Sequence, residues 1–529
     1  MGYHSKHTFM FPFQWDYIDK KRDFYNNRTN LADFQRLFEA IDNGFQLTPF
    51  KIGYDVDKYN EFSYFHPFAR KALYYTEDNR LLRYYEIEHP NGEYHIEYLK
   101  EGNNTKAYEN QLLALTLDNI CVHVYATGVG VVTFNITNYK YPNKEAILAI
   151  NEFGRRMYPQ FMSKGNRLAA KGVFLPNRLW GRIADFEFDE DFSAYQLDIQ
   201  TDGIFLPPDH IKKVFGYKGK EQIGDHGQKF VFRKREEQKG TIRISPVTDD
   251  RMFFLSHYNK ADLVDQLAKR TDPEKEPIAY AFELDNFWYA YIFGDKEGPS
   301  IADDRMQRND ILKATYTRWL DTEKRGWGSG SLYGISRDSF VSIGTDFIGQ
   351  HMQTMYYQMA ILCLVQRASI LRFSWEISQI INRLFANKKV KPEQAIRELY
   401  ENYIRFINQI YFREITPQIQ GIELYNLFQK EMNLEKEAKD LDGEMQELFN
   451  YLSVKEQTHL GQMANLFLPL TLLIGFFSMH SINDHFFNRN LSSIGINANL
   501  TLYDLVTTIL AIWTIIVFML FIFRNKFKH

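Results

Sequence analysis

The chain has 529 residues, 45% of them hydrophobic and 24% charged, which is typical of folded proteins and excludes a disordered chain. Because this length exceeds one ordinary hydrophobic core, we expect two or three domains. A formal net charge of −3 gives no field that attracts nucleic acid, so no direct nucleic-acid partner is expected. The only two cysteines, Cys121 and Cys363, exclude a disulfide framework and favour a reducing compartment.

Residues 1–340 predict a mixed α and β domain, which we place in the cytoplasm. Alternating or β-branched stretches predict strands, and stretches with helical periodicity lie between them. The predicted strands are Tyr94–Leu99, Cys121–Val124, Val131–Ile136, Asp185–Phe192, Lys229–Phe232 and Thr241–Ile244. The clearest predicted helices are Lys144–Met157 and Ala261–Lys269.

Signatures of catalysis are missing from the sequence. Gly128-Val129-Gly130 leads into a strand, so it is not a dinucleotide-binding fingerprint, and the loop Gly326–Gly334 lacks the Lys-Ser/Thr of a phosphate-binding loop. The alternating acidic residues from Asp185 to Asp191 are better explained by one solvated strand face than by a metal site. The sequence therefore predicts a protein that is not an enzyme.

Residues 341–459 predict a helical stalk. Helical patterns run over Phe347–Phe385, then to Glu414, and then from Ile422 to Met479, with breaks at Val390–Pro392 and Ile415–Pro417. A group of acidic side chains in the last helix could hold a divalent cation between subunits, or form a solvated face beside Lys436 and Lys439. These residues are Glu431, Glu435, Glu437, Asp440, Asp442 and Glu444. The sequence leaves metal binding unknown.

Residues 460–529 predict a transmembrane hairpin with spans at about 460–480 and 502–523. The second span carries a single charge, at Asp504, and meets the ~20 residues that a bilayer requires. The basic tail after it predicts cytoplasmic N- and C-termini and a multi-pass protein of the inner (cell) membrane. For the first span, a buried core helix is the alternative interpretation.

One face of the first span carries mostly small or polar residues, spaced alternately by three and four. They are Gln457, Gly461, Ala464, Leu468, Thr471, Gly475 and Ser478. The residues alone allow two interpretations of this stripe. It could line a pore between several copies of the chain, or it could allow close packing of helices.

The run from Leu468 to His480, LPLTLLIGFFSMH, resembles the first transmembrane helix of the CorA magnesium-channel superfamily. That family has a Leu-Pro-Leu-Thr start and a Gly-Met-Asn signature at the same distance, and the second span and basic tail also match. The resemblance implies a homopentameric funnel of α+β domains, stalk helices and two transmembrane helices per chain, with the stripe lining the pore. Here Ser478, Met479 and His480 replace the signature. Without its asparagine, magnesium selectivity is not carried over.

Three segments of the first domain resemble CorA-like proteins encoded beside type III CRISPR systems. They are Phe9–Trp15, Tyr125–Asn135 and Leu332–Arg337. This resemblance implies an antiviral channel opened by an adenine-nucleotide second messenger. S-adenosylmethionine joined to AMP is one such messenger, and a cyclic oligoadenylate is another candidate ligand.

A nucleotide ligand needs cations for its phosphates and polar groups for its ribose. Arg155 and Arg156 end a predicted helix and are our candidates for the first role, although both could simply favour the helix dipole. Asp225, in a predicted tight turn, could accept from a ribose hydroxyl or an amine, or bond its own backbone. Two alternative functions stand beside this one: a constitutive divalent-cation channel and a membrane-anchored nucleotide-processing enzyme.

Overall fold

The computed structural model describes most of the chain as far as residue 478. The described residues are 2–19, 31–40, 44–101, 108–157, 162–163, 167–168, 175–192, 208–216, 230–232, 240–248, 250–271, 279–296, 298–321, 326, 328–386, 392–478, 509 and 513. By its contacts the chain divides into two compact units, one of Met1–Trp375 with Glu401–Leu441 and one of Glu376–Tyr400 with Asp442–His529. The division at residues 340 and 459 stays a prediction.

Strands occur between residues 5 and 344 of the described chain. They are β1 (Ser5–Asp19), β2 (Gln46–Leu47), β3 (Leu82–Glu88), β4 (Glu93–Glu101), β5 (Tyr108–Tyr125), β6 (Val129–Asn138), β7 (Met162–Ser163), β8 (Arg167–Leu168), β9 (Arg178–Ile183), β10 (Phe186–Asp191), β11 (Phe230–Phe232), β12 (Gly240–Pro246), β13 (Phe253–Asn259), β14 (Thr315–Tyr316), β15 (Leu332–Ser336) and β16 (Ser339–Gly344). All six predicted strands are confirmed.

Fourteen of the described strands form one mixed sheet, whose main path is β10-β9-β4-β5-β6-β1-β13-β16-β15-β14. Its two longest strands each pair with two neighbours in succession along one edge. The first half of β5 pairs with β4 and its second half with β3. In the same way, β1 pairs first with β13 and then with β12. Only the β13–β16 pairing among the described strands is parallel.

The two faces of this sheet differ in chemistry, because successive side chains of a strand point to opposite sides. One face is apolar: Phe9 and Trp15 of β1 and Phe134 of β6 are buried in a single hydrophobic core. The Trp15 ring meets the Phe34 ring of the helix Leu31–Glu39 edge-on, with centroids 5.1 Å apart. On the opposite face, β5 and β6 place buried polar side chains, and we call this the polar face.

A tight turn at Gly128 joins β5 to β6 and fixes a helix against the sheet. Gly128 has φ +81°, and a Cβ there would lie within 1.9 Å of the Arg372 guanidinium. Arg372 donates from Nη1 to the carbonyl oxygen of Trp15, at 2.7 Å, and pairs through Nη2 with Asp16, at 2.8 Å. Glycine is therefore required both for its left-handed backbone and for the space that the arginine occupies.

Helices alternate with the strands along the sequence, and the described chain after residue 346 is mostly helical. They are α1 (Leu31–Glu39), α2 (Val56–Tyr64), α3 (Pro67–Leu73), α4 (Lys144–Gly154), α5 (Asp209–Val214), α6 (Ala261–Leu267), α7 (Asn286–Phe293), α8 (Asp304–Ala314), α9 (Asp346–Gln353), α10 (Met355–Ala386), α11 (Pro392–Gln409), α12 (Ile419–Glu431) and α13 (Leu434–Ser478). The predicted break at Ile415–Pro417 is confirmed, and that at Val390–Pro392 lies mostly outside the described residues. The break at Asn433 was missed; its φ of 56° is the left-handed conformation that asparagine tolerates.

The predicted transmembrane hairpin is wrong. Among the helices that the structure describes, none combines enough length with enough apolar sequence to cross a bilayer. The predicted first span belongs to α13, whose strongly apolar stretch begins only at Leu466, and α13 as described extends to Ser478. That stretch is shorter than the ~20 residues that a bilayer core requires. Apart from Ile509 and Trp513, the predicted second span lies outside the described residues.

This correction reaches every prediction that depended on the hairpin. The fold class with two C-terminal transmembrane helices in a homopentameric CorA-like funnel is contradicted, and the large mixed sheet with helices takes its place. The predicted inner-membrane, multi-pass localisation is contradicted with it, as is the description as a membrane protein and ion channel. The function as a messenger-controlled antiviral effector stays a prediction. Self-association into five copies, without the funnel, stays a prediction.

Candidate functional site

A cavity of about 550 Å³ lies against the polar face of the sheet. Its floor is formed by side chains from β3, β5 and β6, namely Tyr84, Glu86, Asn119, Cys121, His123, Asn135 and Thr137. Its walls include Phe50, Glu61 and Tyr74 and, from α10, Tyr357 and Gln358. All of these residues belong to the same compact unit, so the cavity lies within one body.

A chain of hydrogen bonds orders the floor of the cavity. Thr8 Oγ1 donates to Asn135 Oδ1 at 2.6 Å, and Asn135 Nδ2 donates to Asn119 Oδ1 at 2.6 Å. Asn119 Nδ2 then donates to Glu86 Oε1 at 2.8 Å. Each amide is thereby held in one orientation, and the chain ends on a carboxyl group.

The first two turns of α10 contribute polar contacts to the same cavity. The Tyr357 hydroxyl lies 2.9 Å from Thr133 Oγ1 of β6. Next to it, Gln358 Nε2 donates to Glu61 Oε1 at 3.1 Å, while Oε1 of Gln358 is buried without a partner among the described residues. A buried, unused acceptor at the wall of a cavity is a place where a ligand can donate a hydrogen bond.

Three carboxyl groups of the cavity are perturbed by burial. Burial raises the pKa of Glu61 to about 7, and it also raises the pKa values of Glu86 and Asp118. Within the part of the chain that the structure describes, none of the three lies within ion-pair distance of a basic side chain. Clefts with such perturbed groups are frequent binding or catalytic sites.

Basic and aromatic side chains complete the lining. Lys51 and Lys58 line the cavity and are exposed, so they lie at its open side. Inside, the Phe50 and Tyr74 rings have centroids 4.3 Å apart. The arrangement therefore offers cations, carboxyls and aromatic faces to a single small molecule, as a nucleotide or a zwitterion requires.

The thiol and imidazole of the floor are not suited to nucleophilic chemistry. Burial, with the nearby Glu86 carboxyl, raises the pKa of Cys121 to about 12. Burial lowers the pKa of His123 to about 3, so its ring is neutral, and its Nδ1 has no hydrogen-bond partner among the described residues. A reactive cysteine needs the opposite shift, since the thiolate is the nucleophile.

Alkylation of Cys121 by iodoacetamide at pH 8.5 is expected to be roughly three orders of magnitude slower in the native protein than for a free cysteine. The raised pKa leaves almost no thiolate at that pH. Peptide mass spectrometry over time measures the rate, and urea-denatured protein is the control. An alkylation rate in the native protein within about tenfold of that in the denatured protein would contradict the raised pKa of Cys121.

A second constellation, of Ser5, His7 and Asn151, resembles a hydrolase triad but lacks access. His7 Nε2 lies 2.7 Å from Ser5 Oγ, and His7 Nδ1 lies 2.7 Å from Asn151 Oδ1. All three residues have no exposed surface, and none lines the cavity. Burial lowers the pKa of His7 to about 4. We interpret these bonds as a polar network that fixes β1 on α4.

The structure places Arg155 and Arg156 in the interior, directly after α4. Arg156 pairs with Glu152 and with Asp250, and Arg155 Nη2 lies 3.2 Å from Glu152 Oε2. All four side chains are at most 3% exposed. Neither arginine lines the cavity, so the structure does not bring these candidates together with it.

The electrostatics of this cluster are those of a closed ionic core. Burial lowers the pKa of Arg155 to about 10. Although burial alone raises the pKa of Glu152, the adjacent Arg155 and Arg156 bring it below its ordinary value. A buried carboxylate between two guanidinium groups remains charged because its partners are fixed around it.

The other predicted site residues divide between α13 and the undescribed part of the chain. Asp225, Met479 and His480 lie outside the described residues. The stripe lies on α13, where Gln457, Gly461, Ala464, Leu468 and Thr471 are exposed, while Gly475 and Ser478 are described only as helical backbone. Over the described ranges, no group of three or more His, Cys, Asp or Glu could hold a metal ion.

No family model, curated protein or solved structure matches this chain. The resemblance to CorA-like proteins therefore stays a prediction carried by the short segments that suggested it. The geometry of the cavity is therefore the basis for its proposed function.

Sequence reasoning missed the cavity although a signal for it was present. Thr133, Asn135 and Thr137 alternate with apolar residues along β6, whose opposite face is fully buried. Alternation of this kind usually indicates a solvated face. Here the polar face is covered by the start of α10, which the local pattern of either segment does not encode.

Proposed function

We propose that the β-rich part of this protein is a receptor for a small polar ligand that carries a ring, bound in the cavity on the polar face. The observation that carries the proposal is the floor itself, where ordered polar side chains take the place of an apolar core. Polar groups in such a position cost stability unless hydrogen bonds satisfy them. The volume of about 550 Å³ lies within the ~300–1,000 Å³ of small-molecule sites.

An adenine-nucleotide messenger is the first ligand to test. The exposed lysines of the open side suit phosphate groups, and the Phe50 and Tyr74 rings suit a base. The sequence resemblance implies S-adenosylmethionine-AMP, or otherwise a cyclic oligoadenylate. In the antiviral setting that it implies, binding in the cavity would report foreign RNA to the rest of the chain.

Isothermal titration of the full chain with both messengers is the direct test. We expect at least one to bind, and the pair Lys51→Ala and Lys58→Ala to weaken it about tenfold, which corresponds to ~1.4 kcal/mol. The matched control is Lys71→Ala with Arg80→Ala, two exposed cations nearby that do not line the cavity. If wild type binds neither messenger, an adenine-nucleotide messenger is not the ligand of this cavity.

A nucleotide-processing enzyme is a second candidate, favoured by the pKa of about 7 at Glu61. A carboxyl that titrates near neutral pH is suited to general acid–base catalysis. Incubation of the protein with each messenger, followed by chromatography, separates the two functions. A receptor returns its ligand unchanged, whereas an enzyme converts it with multiple turnovers.

A further inference from the structure

Glu61 is the most deeply buried of the carboxyl groups that line the cavity. It lies on α2 and is only 7% exposed. Its Oε1 accepts from Gln358 Nε2 at 3.1 Å and from the Tyr74 hydroxyl at 3.2 Å. Both donors are neutral, so these contacts orient the carboxyl group without neutralising a charge on it.

Aromatic rings stand beside this carboxyl. The Tyr74 ring centroid lies 4.3 Å from that of Phe50 and 5.4 Å from that of Phe62. Phe50 and Tyr74 both line the cavity with Glu61. Ring faces attract cations through their quadrupole, and most strongly where water is excluded. Carboxyl and rings together form a pocket suited to a positive group.

The protein itself supplies no such group to Glu61 in the described chain. The charged side chains that act on it are Lys58 and Asp55, both exposed and both on or next to α2; the facing groups from other elements are Tyr74 and Gln358. Lys58, the basic one of the two, does not lie within ion-pair distance of it. A buried carboxylate without a counter-ion is unfavourable. A cation carried by a ligand would supply the counter-ion, and this pairing would add to the binding free energy.

We propose that Glu61 binds a cationic group of the ligand, an ammonium or a sulfonium, between its carboxylate and the Phe50 and Tyr74 rings. This inference rests on the proposed receptor function and specifies the chemistry of its ligand. A purely anionic nucleotide would leave the pocket at Glu61 unfilled. A nucleotide joined to a positively charged amino-acid moiety would fill both the pocket and the lysine-lined opening.

Three adenosine compounds that differ in positive charge test the inference. They are 5′-methylthioadenosine, which has none, S-adenosylhomocysteine, which has an ammonium, and S-adenosylmethionine, which adds a sulfonium. We expect affinity for wild type to rise in that order in isothermal titration at pH 8. We also expect S-adenosylmethionine to bind about tenfold more weakly at pH 6, because Glu61 must lose its proton first.

Glu61→Gln keeps the shape of the side chain and an acceptor for Gln358 and Tyr74, and should remove both the charge preference and the pH dependence. Glu77→Gln, at an exposed carboxyl outside the cavity lining, should change neither. Circular dichroism confirms that each variant is folded. If Glu61→Gln still prefers the cationic probes, or if wild type binds all three probes equally, Glu61 does not bind a cationic group. Either result leaves the receptor function standing. If wild type binds neither the probes nor the messengers, the receptor function fails and the inference with it.

Discussion

Arg156→Ala is expected to lower the free energy of unfolding by ~3–5 kcal/mol, because it removes the shared cation of two buried ion pairs, with Glu152 and with Asp250. Asp250 is 3% exposed and would lose Arg156 but keep Arg251 at 3.6 Å, while Glu152 would keep Arg155. Urea unfolding followed by circular dichroism measures the change. A loss of this size agrees with a structural role for the arginines in the interior.

The matched control is Arg182→Ala, which removes a surface arginine 3.9 Å from Glu187. Exposed pairs contribute little, so its unfolding midpoint should stay close to that of wild type. Arg156→Ala also tests the prediction that this pair of arginines binds a messenger. If Arg156→Ala is as stable as wild type and binds ligand at least tenfold more weakly, the arginine contacts the ligand as the sequence suggested.

Glu61→Gln is expected to gain ~2–3 kcal/mol of stability relative to wild type as the pH rises from 5 to 8. Burial raises the pKa of Glu61 from its ordinary 4.5 to about 7, so the folded protein holds the proton more tightly than the unfolded chain does. The stabilisation by that proton is complete below pH 4.5 and is lost as the pH rises through about 7. Glutamine does not titrate, so the variant escapes this loss.

Unfolding in urea at pH 5, 6, 7 and 8 measures the difference between the two proteins. Glu77→Gln serves as the control, since this carboxyl is exposed and lies outside the cavity lining. Parallel profiles for wild type and Glu61→Gln would show that Glu61 is already ionised in the folded protein. A saturating cationic ligand should remove the loss in wild type, because it pairs with the ionised carboxylate.

Local pattern was sufficient to predict many individual elements. The alternation over Tyr94–Leu99 and Val131–Ile136 predicted β4 and β6, and helical periodicity predicted α4. These signals lie within one segment, because the side-chain period of a strand or a helix is a local property.

Local sequence pattern did not predict features that depend on the length of a helix or on what packs against it. The apolar sequence near the end of α13 suggested a membrane span, yet the same helix begins with the charged sequence LEKEAKDLDGEM. Likewise Arg155 and Arg156 gave the pattern of a basic helix end, which fits a ligand site and an interior ion cluster equally well. A local pattern cannot choose between them, since it contains nothing about what packs against the segment.

The sequence by itself thus determined which stretches of this protein form strands and helices, and tertiary structure alone decided what their polar residues do. Arg156 meets Asp250 across 94 positions, and Glu61 meets Gln358 across 297. The cavity exists because α10 covers the polar face of strands that lie more than 200 positions earlier, as the 224 positions between Thr133 and Tyr357 illustrate. Burial and pairing are properties of such long-range contacts, and no periodicity within a single segment encodes them.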